Sequence, residues 1–108
     1  MSPLQKLEIQ NNLDGNGIPA GGFVRGIGLA INWQEGPSGR GADRKEQTGA
    51  RVEDVLNACL TRLKYYQGTK FNCPENVLAL NGLESALQWL QKRNEDREKR
   101  QVKGTTNS

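Results

Sequence analysis

Residues 51–93 of the chain read RVEDVLNACLTRLKYYQGTKFNCPENVLALNGLESALQWLQKR. Apolar side chains recur here at the three- and four-residue spacing of amphipathic helices, first over residues 50–67 and again from Pro74 onward. Gly68 suits the end of the first helix, and Pro74 with Glu75 suits the start of the second. Because only a short turn joins them, the two helices are predicted to form an antiparallel α-hairpin.

The spacing also predicts which side chains face the interior of the hairpin. On the first helix these are Val52, Val55, Leu56, Cys59, Leu63 and Tyr66, and on the second they are Val77, Leu80, Leu83, Leu87 and Leu90. The second helix is expected to end near Arg100, after roughly 40 Å at 1.5 Å per residue. The polar tail, residues 101–108, is expected to be loose unless a partner holds it.

The region before the hairpin reads as β structure. Residues 23–33 alternate large with small side chains, which predicts a single strand with one large apolar face. Asp14 to Gly17 predicts a turn, and Gly21 with Gly22 predicts another. Residues 34–49 form a polar, glycine-rich loop with basic residues, long enough to be either mobile or functional.

Composition excludes several classes of protein. The chain has 108 residues, no histidine, two cysteines and a net charge of +3. Catalysis by Ser-His-Asp or Cys-His groups is therefore excluded, and two cysteines cannot complete a structural zinc site. No transmembrane helix or signal peptide is evident, so we expect a soluble protein of a reducing cytosol with free thiols. With only 34% hydrophobic residues, a chain this small is expected to gain stability by self-association.

Three arginines near the end of the second helix share one face, because Arg93, Arg97 and Arg100 are spaced i, i+4 and i+7. Guanidinium groups can bind phosphate bidentately and stack on a base. The alternative is a solvated helix end, in which neighbouring acidic residues such as Glu95 and Asp96 pair with these arginines.

Two further residues, Asn76 and Tyr66, each allow two interpretations. Asn76, in the first turn of the second helix, either bonds to the preceding turn or reads the edge of a base or ribose. Tyr66, at the end of the first helix, either packs in the core or stacks on a base. The charge is too balanced for a general nucleic-acid binder, so these features indicate a small nucleotide ligand bound without turnover.

Four segments of the chain also resemble the motif of a known family. They are FNCPENVLAL at residues 71–80, LESALQWL at 83–90, RNEDR at 93–97 and VKGT at 102–105, with RGI at 25–27 and QEGP at 34–37 upstream. They are similar to Phe-x-Cys-x-Glu-Asn-x-x-Ala-Leu, Leu-Glu-x-Ala-Leu-x-Trp-Leu, Arg-Thr-x-x-Arg and Gly-Val-x-Gly-Thr of the phage anti-Thoeris sponge family. That family shares its helical hairpin with the anti-CBASS sponges. The resemblance covers residues 24–37 and 62–105.

The resemblance implies a fold and an assembly. The fold is α+β, with a small antiparallel β-sheet followed by a two-helix antiparallel hairpin. A single domain would span residues 1–108, divided into a β region (1–34), a loop (35–49), the α-hairpin (50–100) and the tail (101–108). The assembly is a homo-oligomer, either a dimer or a trimer of dimers.

The resemblance also implies a function in the cytoplasm of the infected bacterial host. The protein would bind and sequester a cyclic ADP-ribose-type signal, glycocyclic ADP-ribose, without cleaving it and without cofactor or metal. This would block Thoeris defence. Two alternatives stay open: a sponge for CBASS cyclic di- or trinucleotides, alone or at a second site, and a nucleic-acid-binding or structural phage protein.

The ligand residues implied by the resemblance are those already singled out. Tyr66 would stack on adenine, Asn76 would hydrogen-bond the ligand, and Arg93 and Arg97 would hold the pyrophosphate. A second oligonucleotide site would draw on Arg40, Arg44 and Arg51. The chain departs from the motif where Asn94 replaces threonine, Pro74 replaces arginine and Gln101 replaces glycine, and the loop at 35–49 does not match cleanly.

Overall fold

The computed structural model describes residues 3–35 and 47–107, with side chains as far as residue 100. The elements are β1 (Glu8–Leu13), β2 (Pro19–Gly26), β3 (Leu29–Trp33), α1 (Val52–Gln67) and α2 (Pro74–Asn107). The strands form an antiparallel sheet in the order β1-β2-β3, so the predicted α+β fold is confirmed. The chain divides into two compact units, Met1–Val52 and Glu53–Ser108.

The turn between β1 and β2 is organised by one aspartate. Asp14 Oδ1 accepts hydrogen bonds from the backbone nitrogens of Asn16, at 2.7 Å, and Ile18, at 3.0 Å. The Asp14 backbone nitrogen donates to the Ile18 carbonyl at 2.8 Å. Gly17 takes a positive φ of 77°, a conformation that glycine adopts without steric cost. The predicted turn at residues 14–17 is confirmed.

The single strand predicted over residues 23–33 is wrong, because the chain reverses at Ile27 and Gly28. Gly28 has a φ of 72°. The side chain of Gln5, which precedes β1, bonds to the backbone of this reversal. Gln5 Oε1 accepts from the Ile27 nitrogen at 2.8 Å, and Gln5 Nε2 donates to the Ile27 carbonyl at 3.1 Å. Residues 23–33 therefore supply the end of β2 and all of β3.

This reversal changes which side chains share a face of the sheet. Val24 pairs with Ile31 and, on its other side, with Ile9, so these three apolar residues lie on one face. Phe23 pairs with Asn32 and lies on the opposite face. There the Arg25 guanidinium stacks over the Phe23 ring, with its carbon 3.9 Å from the ring centroid.

Gly21 and Gly22 lie inside β2 and do not form the separate turn predicted for them. They have positive φ values of 86° and 134°, where the register between β1 and β2 shifts. A Cβ at Gly22 would collide with the backbone carbonyl oxygen of Gln10. The irregularity is a β-bulge that requires glycine, because it combines positive φ with close backbone approach.

The segment after the undescribed residues 36–46 returns beside β3. Ala50 pairs with Trp33 in a parallel bridge, and its nitrogen donates to the Asn32 carbonyl at 2.7 Å. The Gln34 side chain ties the segment down, since its Oε1 accepts from the nitrogens of Thr48 at 2.8 Å and Gly49 at 3.1 Å. The two ends of the loop are therefore held side by side.

The helical unit follows the predicted hairpin with two corrections. The second helix, α2, continues through Asn107, so the expected end near Arg100 is wrong and residues 101–107 are helical. Each residue added to a formed helix gains a backbone hydrogen bond, and neither Gln101 nor Gly104 stops this propagation. No helix in the described part of the chain is long and apolar enough to cross a membrane.

The inner face of α1 is rotated from its predicted position. Leu60, absent from the predicted set, is the one buried hydrophobic residue among those described, at 8% exposure. Cys59, which was included, is exposed, and Val52 is largely exposed. The face therefore centres nearer Leu56, Leu60 and Leu63 than the spacing predicted. The described chain has a sparse core.

Replacing Gly22 with alanine tests the bulge. We expect Gly22→Ala to lower the free energy of unfolding by about 2 kcal/mol, because an added Cβ meets both unfavourable φ and the Gln10 carbonyl. Chemical denaturation followed by circular dichroism measures the change. Gly15→Ala is the matched control, since a Cβ there meets nothing within 4 Å. Equal stabilities for the two variants would contradict the role assigned to the bulge.

Candidate functional site

Side-chain hydrogen bonds hold the turn between α1 and α2, and Gln67 and Thr69 each make two of them. Gln67 Oε1 accepts hydrogen bonds from the Cys73 backbone nitrogen and from Asn76 Nδ2, both at 3.0 Å. Thr69 Oγ1 donates to the Tyr66 carbonyl at 2.6 Å and accepts from the Phe71 nitrogen at 3.1 Å. These bonds satisfy backbone groups that the ends of both helices leave open, so the turn has one defined path.

The amide nitrogen of Asn76 bonds to the preceding turn, which was one of the two interpretations of this residue. Besides Gln67, Nδ2 donates to the Phe71 carbonyl at 3.3 Å, and the side chain is partly buried. No described residue donates a hydrogen bond to Asn76 Oδ1. One polar atom of the residue is therefore left for other contacts.

Tyr66 lies in an aromatic and cationic cluster on the last turns of α1. Its hydroxyl oxygen accepts a hydrogen bond from Arg62 Nε at 3.1 Å. The Arg62 guanidinium carbon is 4.9 Å from the Tyr66 ring centroid and 5.1 Å from that of Tyr65. The sequence reasoning missed Arg62, although a residue four positions before Tyr66 shares its helix face. The cluster offers flat faces and positive charge at one place.

A second polar cluster lies at the other end of the hairpin. Glu53, in the first turn of α1, accepts from Arg93 Nη2 at 3.4 Å and from Asn94 Nδ2 at 2.9 Å. Asn94 Oδ1 in turn accepts from Arg93 Nη2 at 3.3 Å. Arg93 Nε is buried and makes no hydrogen bond to any described residue. Asn94, a departure from the family motif, thus helps to hold Arg93 in place.

The acidic residues next to the arginines on α2 itself, Glu95 and Asp96, pair with other side chains. Asp96 pairs with Lys92 at 3.5 Å, and Glu95 accepts from Gln91 at 3.5 Å. Arg97 is exposed and has no ion pair or hydrogen bond with the described residues. Arg97 lies one helical turn beyond Arg93, which is the residue that pairs with Glu53 at the start of α1. Arg97 is therefore not locally paired, and its exposure agrees with the alternative of a solvated helix end as well as with a ligand role.

The four predicted ligand residues fall into two pairs. Tyr66 and Asn76 lie at the turn, whereas Arg93 and Arg97 lie at the open end of the hairpin. Asn76 and Arg93 are separated along α2 by roughly 25 Å at 1.5 Å per residue. One hairpin therefore does not bring the two pairs together around a single small ligand.

The residues named for a second oligonucleotide site are only partly described. Arg40 and Arg44 lie outside the described residues, and Arg51 is exposed immediately before α1. No cluster of metal-ligating side chains occurs in the ranges that the structure describes. Both cysteines, Cys59 and Cys73, are free.

The described geometry defines a class: a small α-hairpin protein with an aromatic and amide cluster at its turn and an arginine cluster at its open end. Comparison with known proteins agrees with this class. The profile of the Acb2/Tad1 hairpin domain matches residues 26–95. The chain belongs to this family, which confirms the resemblance to the anti-Thoeris sponges.

One curated relative is similar along most of the chain. It is the protein named Thoeris anti-defense 1 of Bacillus phage SBSphiJ7, 45% identical over 76 residues. The matched region covers 69% of this chain and 50% of the relative. The chain therefore spans about half the length of the curated relative that it matches.

Removing Glu53 tests the cluster at the open end. We expect Glu53→Ala to lower the free energy of unfolding by about 1 to 2 kcal/mol, because Asn94 and the partly buried Arg93 lose a charged acceptor. Thermal unfolding of the two proteins gives the difference. Lys92→Ala removes only an exposed i,i+4 pair and should cost a few tenths of a kcal/mol. A cost for Glu53→Ala no larger than this control would contradict the assignment.

Proposed function

We propose that this chain captures a glycocyclic ADP-ribose-type signalling nucleotide and holds it uncleaved, which blocks Thoeris defence in the cytoplasm of a phage-infected bacterium. Family membership and the similarity to a protein named Thoeris anti-defense 1 support the proposal. Sequestration of this kind needs tight binding and slow release rather than turnover.

The observation that carries the proposal is the separation of the two clusters. Tyr66 and Asn76 suit a base and its sugar, whereas Arg93 and Arg97 suit a pyrophosphate, yet one hairpin holds the pairs roughly 25 Å apart. Two antiparallel copies would bring the turn of one hairpin to the arginines of the other. We therefore infer that the binding site is composite and requires a homo-oligomer.

Each residue has a role in such a site. Adenine stacks on Tyr66, where stacking of a base on an aromatic ring is worth about 1–3 kcal/mol. Phosphate oxygens accept charge-assisted hydrogen bonds from Arg93 and Arg97. Arg93 is suited to this because its side chain is 40% exposed and only its Nη2 makes hydrogen bonds to described residues, and Arg97 because it is exposed and unpaired within them.

The sparse core supports self-association. Large apolar side chains stay exposed on α2, among them Leu78 at 69% and Trp89 at 72%. They lie eleven positions apart, which is close to three helical turns, so they share a face. A dimer, alone or within a trimer of dimers, would cover such a face. Covering it would supply burial that the single chain lacks.

A messenger panel separates the proposal from its rivals. The protein is incubated with glycocyclic ADP-ribose, cyclic dinucleotides and cyclic trinucleotides, then heated, and the released ligand is identified by chromatography. We expect intact glycocyclic ADP-ribose. Release of a cleavage product would overturn capture without turnover, and capture of cyclic oligonucleotides alone would favour the CBASS sponge, with Arg40, Arg44 and Arg51 as the first residues to test. Salt-sensitive binding of long DNA alone would favour the nucleic-acid-binding alternative.

The arginines are tested one at a time. Arg93→Ala and Arg97→Ala should each weaken capture of glycocyclic ADP-ribose by about 10- to 100-fold, because each removes charged donors to phosphate. Isothermal titration calorimetry measures the affinity, and circular dichroism verifies folding. Lys92→Ala, which removes an exposed cation beside Arg93, should bind as the parent does. Unchanged binding by both arginine variants would overturn the site.

Mixing two inactive variants tests whether the site is composite. Tyr66→Leu and Arg97→Ala should each bind poorly alone. If each site joins one chain's Tyr66 to another chain's Arg97, random re-association restores about a quarter of the sites, since half of the dimers are mixed and half of their sites are intact. Titration of the re-associated mixture counts the active sites. Recovery of none would mean that a single chain supplies both residues.

A further inference from the structure

The orientation of the Gln67 side-chain amide is fixed by the backbone. The Cys73 backbone N–H can only donate, so the Gln67 atom 3.0 Å from it must be the carbonyl oxygen Oε1. The same oxygen faces the Asn76 side chain, also at 3.0 Å. Gln67 therefore presents an acceptor, not a donor, to Asn76.

The orientation of Asn76 follows from two acceptors. Besides Gln67 Oε1, the backbone carbonyl of Phe71 lies 3.3 Å from the Asn76 amide group. A carbonyl oxygen only accepts, so the atom beside both oxygens must be the nitrogen Nδ2. Reversing the amide would place Asn76 Oδ1 against both of these acceptor oxygens and would cost both hydrogen bonds.

We infer that Gln67 is a positioning residue that commits the Asn76 amide nitrogen to the turn and leaves Oδ1 as the atom offered to ligand. This inference rests on the proposed function. Asn76 then acts only as an acceptor, so it recognises a ligand group that donates a hydrogen bond. In an adenine nucleotide such groups are the exocyclic amine of the base and the hydroxyls of the ribose.

Gln67 differs in its contacts from Thr69, which also holds the turn. Thr69 bonds to the backbone at Tyr66 and Phe71 and does not touch the Asn76 amide. The chain thus offers a matched pair of changes. Loss of Gln67 leaves the Asn76 amide nitrogen with the Phe71 carbonyl alone as acceptor. Loss of the Thr69 hydroxyl loosens the same turn and leaves both amides bonded.

The positioning role is tested first in the protein without ligand. In nitrogen-15 NMR spectra, the Asn76 side-chain NH2 protons should exchange with solvent slowly in the parent and in Thr69→Val. They should exchange roughly tenfold faster in Gln67→Leu, where one acceptor is lost. Gln67→Glu keeps an acceptor at the same place and should retain slow exchange. Unchanged exchange in Gln67→Leu would overturn the inference whether or not any nucleotide binds.

Binding of glycocyclic ADP-ribose supplies the second test. Calorimetry should give a roughly tenfold weaker affinity for Gln67→Leu, near-parent affinity for Gln67→Glu, and a smaller loss for Thr69→Val. Equal losses for Gln67→Leu and Thr69→Val would mean a merely structural role. If the parent protein binds no messenger, the proposed function fails, and the exchange measurement alone decides the role of Gln67.

The polarity of Asn76 is tested by changing the ligand. The hypoxanthine counterpart of glycocyclic ADP-ribose replaces the exocyclic amine by an acceptor, and deoxyribose counterparts remove single hydroxyls. One of these analogues should bind the parent roughly tenfold more weakly, and that loss should disappear in Asn76→Ala. Loss with the hypoxanthine ligand assigns Oδ1 to the base, and loss with a deoxy ligand assigns it to the sugar. Parent-level binding of every analogue would overturn the inference.

Discussion

The connection over residues 68–73 ties the end of α1 to the start of α2, and the arrangement of the helical unit follows from it. The two helices differ in length, with 16 residues in α1 and 34 in α2. Since they start from a common turn, α1 reaches only as far as the level of Arg93 and Asn94. Everything on α2 beyond that level extends past its neighbour. This is why Arg97 is exposed although it follows a partly buried arginine by a single turn.

The same connection gives the two ends of the hairpin different characters. The turn end is held by hydrogen bonds between uncharged groups, among them those of Gln67 and Thr69. The open end is held through the Glu53 carboxylate, and it leaves guanidinium groups only partly satisfied. A base with its sugar and a pyrophosphate differ in the same way, one uncharged and flat, the other anionic. The hairpin thus separates these two kinds of chemistry along its length.

The helical hairpin could be predicted from sequence because its signals are local. Apolar spacing, Gly68 and Pro74 indicated both helices, and α1 begins and ends close to the predicted residues. The strands could not be placed as well. A two-residue reversal at Ile27 and Gly28 leaves an alternating pattern intact, so periodicity alone did not reveal the change of direction. Glycine at residue 28 was the available signal, because a tight turn between strands favours a residue that adopts positive φ.

The candidate site was predictable in its residues but not in their partners. Shared helix faces and the family motif selected Tyr66, Asn76, Arg93 and Arg97, and their roles remain predictions. The contacts of Gln67 and Glu53 depend on how the turn aligns two helices, which no short window of sequence specifies. Gln67 bonds to Asn76, nine positions away in the sequence, and Glu53 bonds to Arg93, forty positions away. The burial of Leu60 was not predicted for a related reason, since the exact rotation of α1 is set by packing against its neighbour.

The Gln34 side chain, which joins the two ends of the undescribed loop, bears on how this chain can change in length. Its bonds to Thr48 and Gly49 close the loop at its base without using any residue from 36 to 46. Closing a loop costs free energy that grows only logarithmically with length, by about 0.6 kcal/mol for each doubling. We therefore expect the bonds between Gln34 and residues 48 and 49 to tolerate a change in the number of residues that separate them.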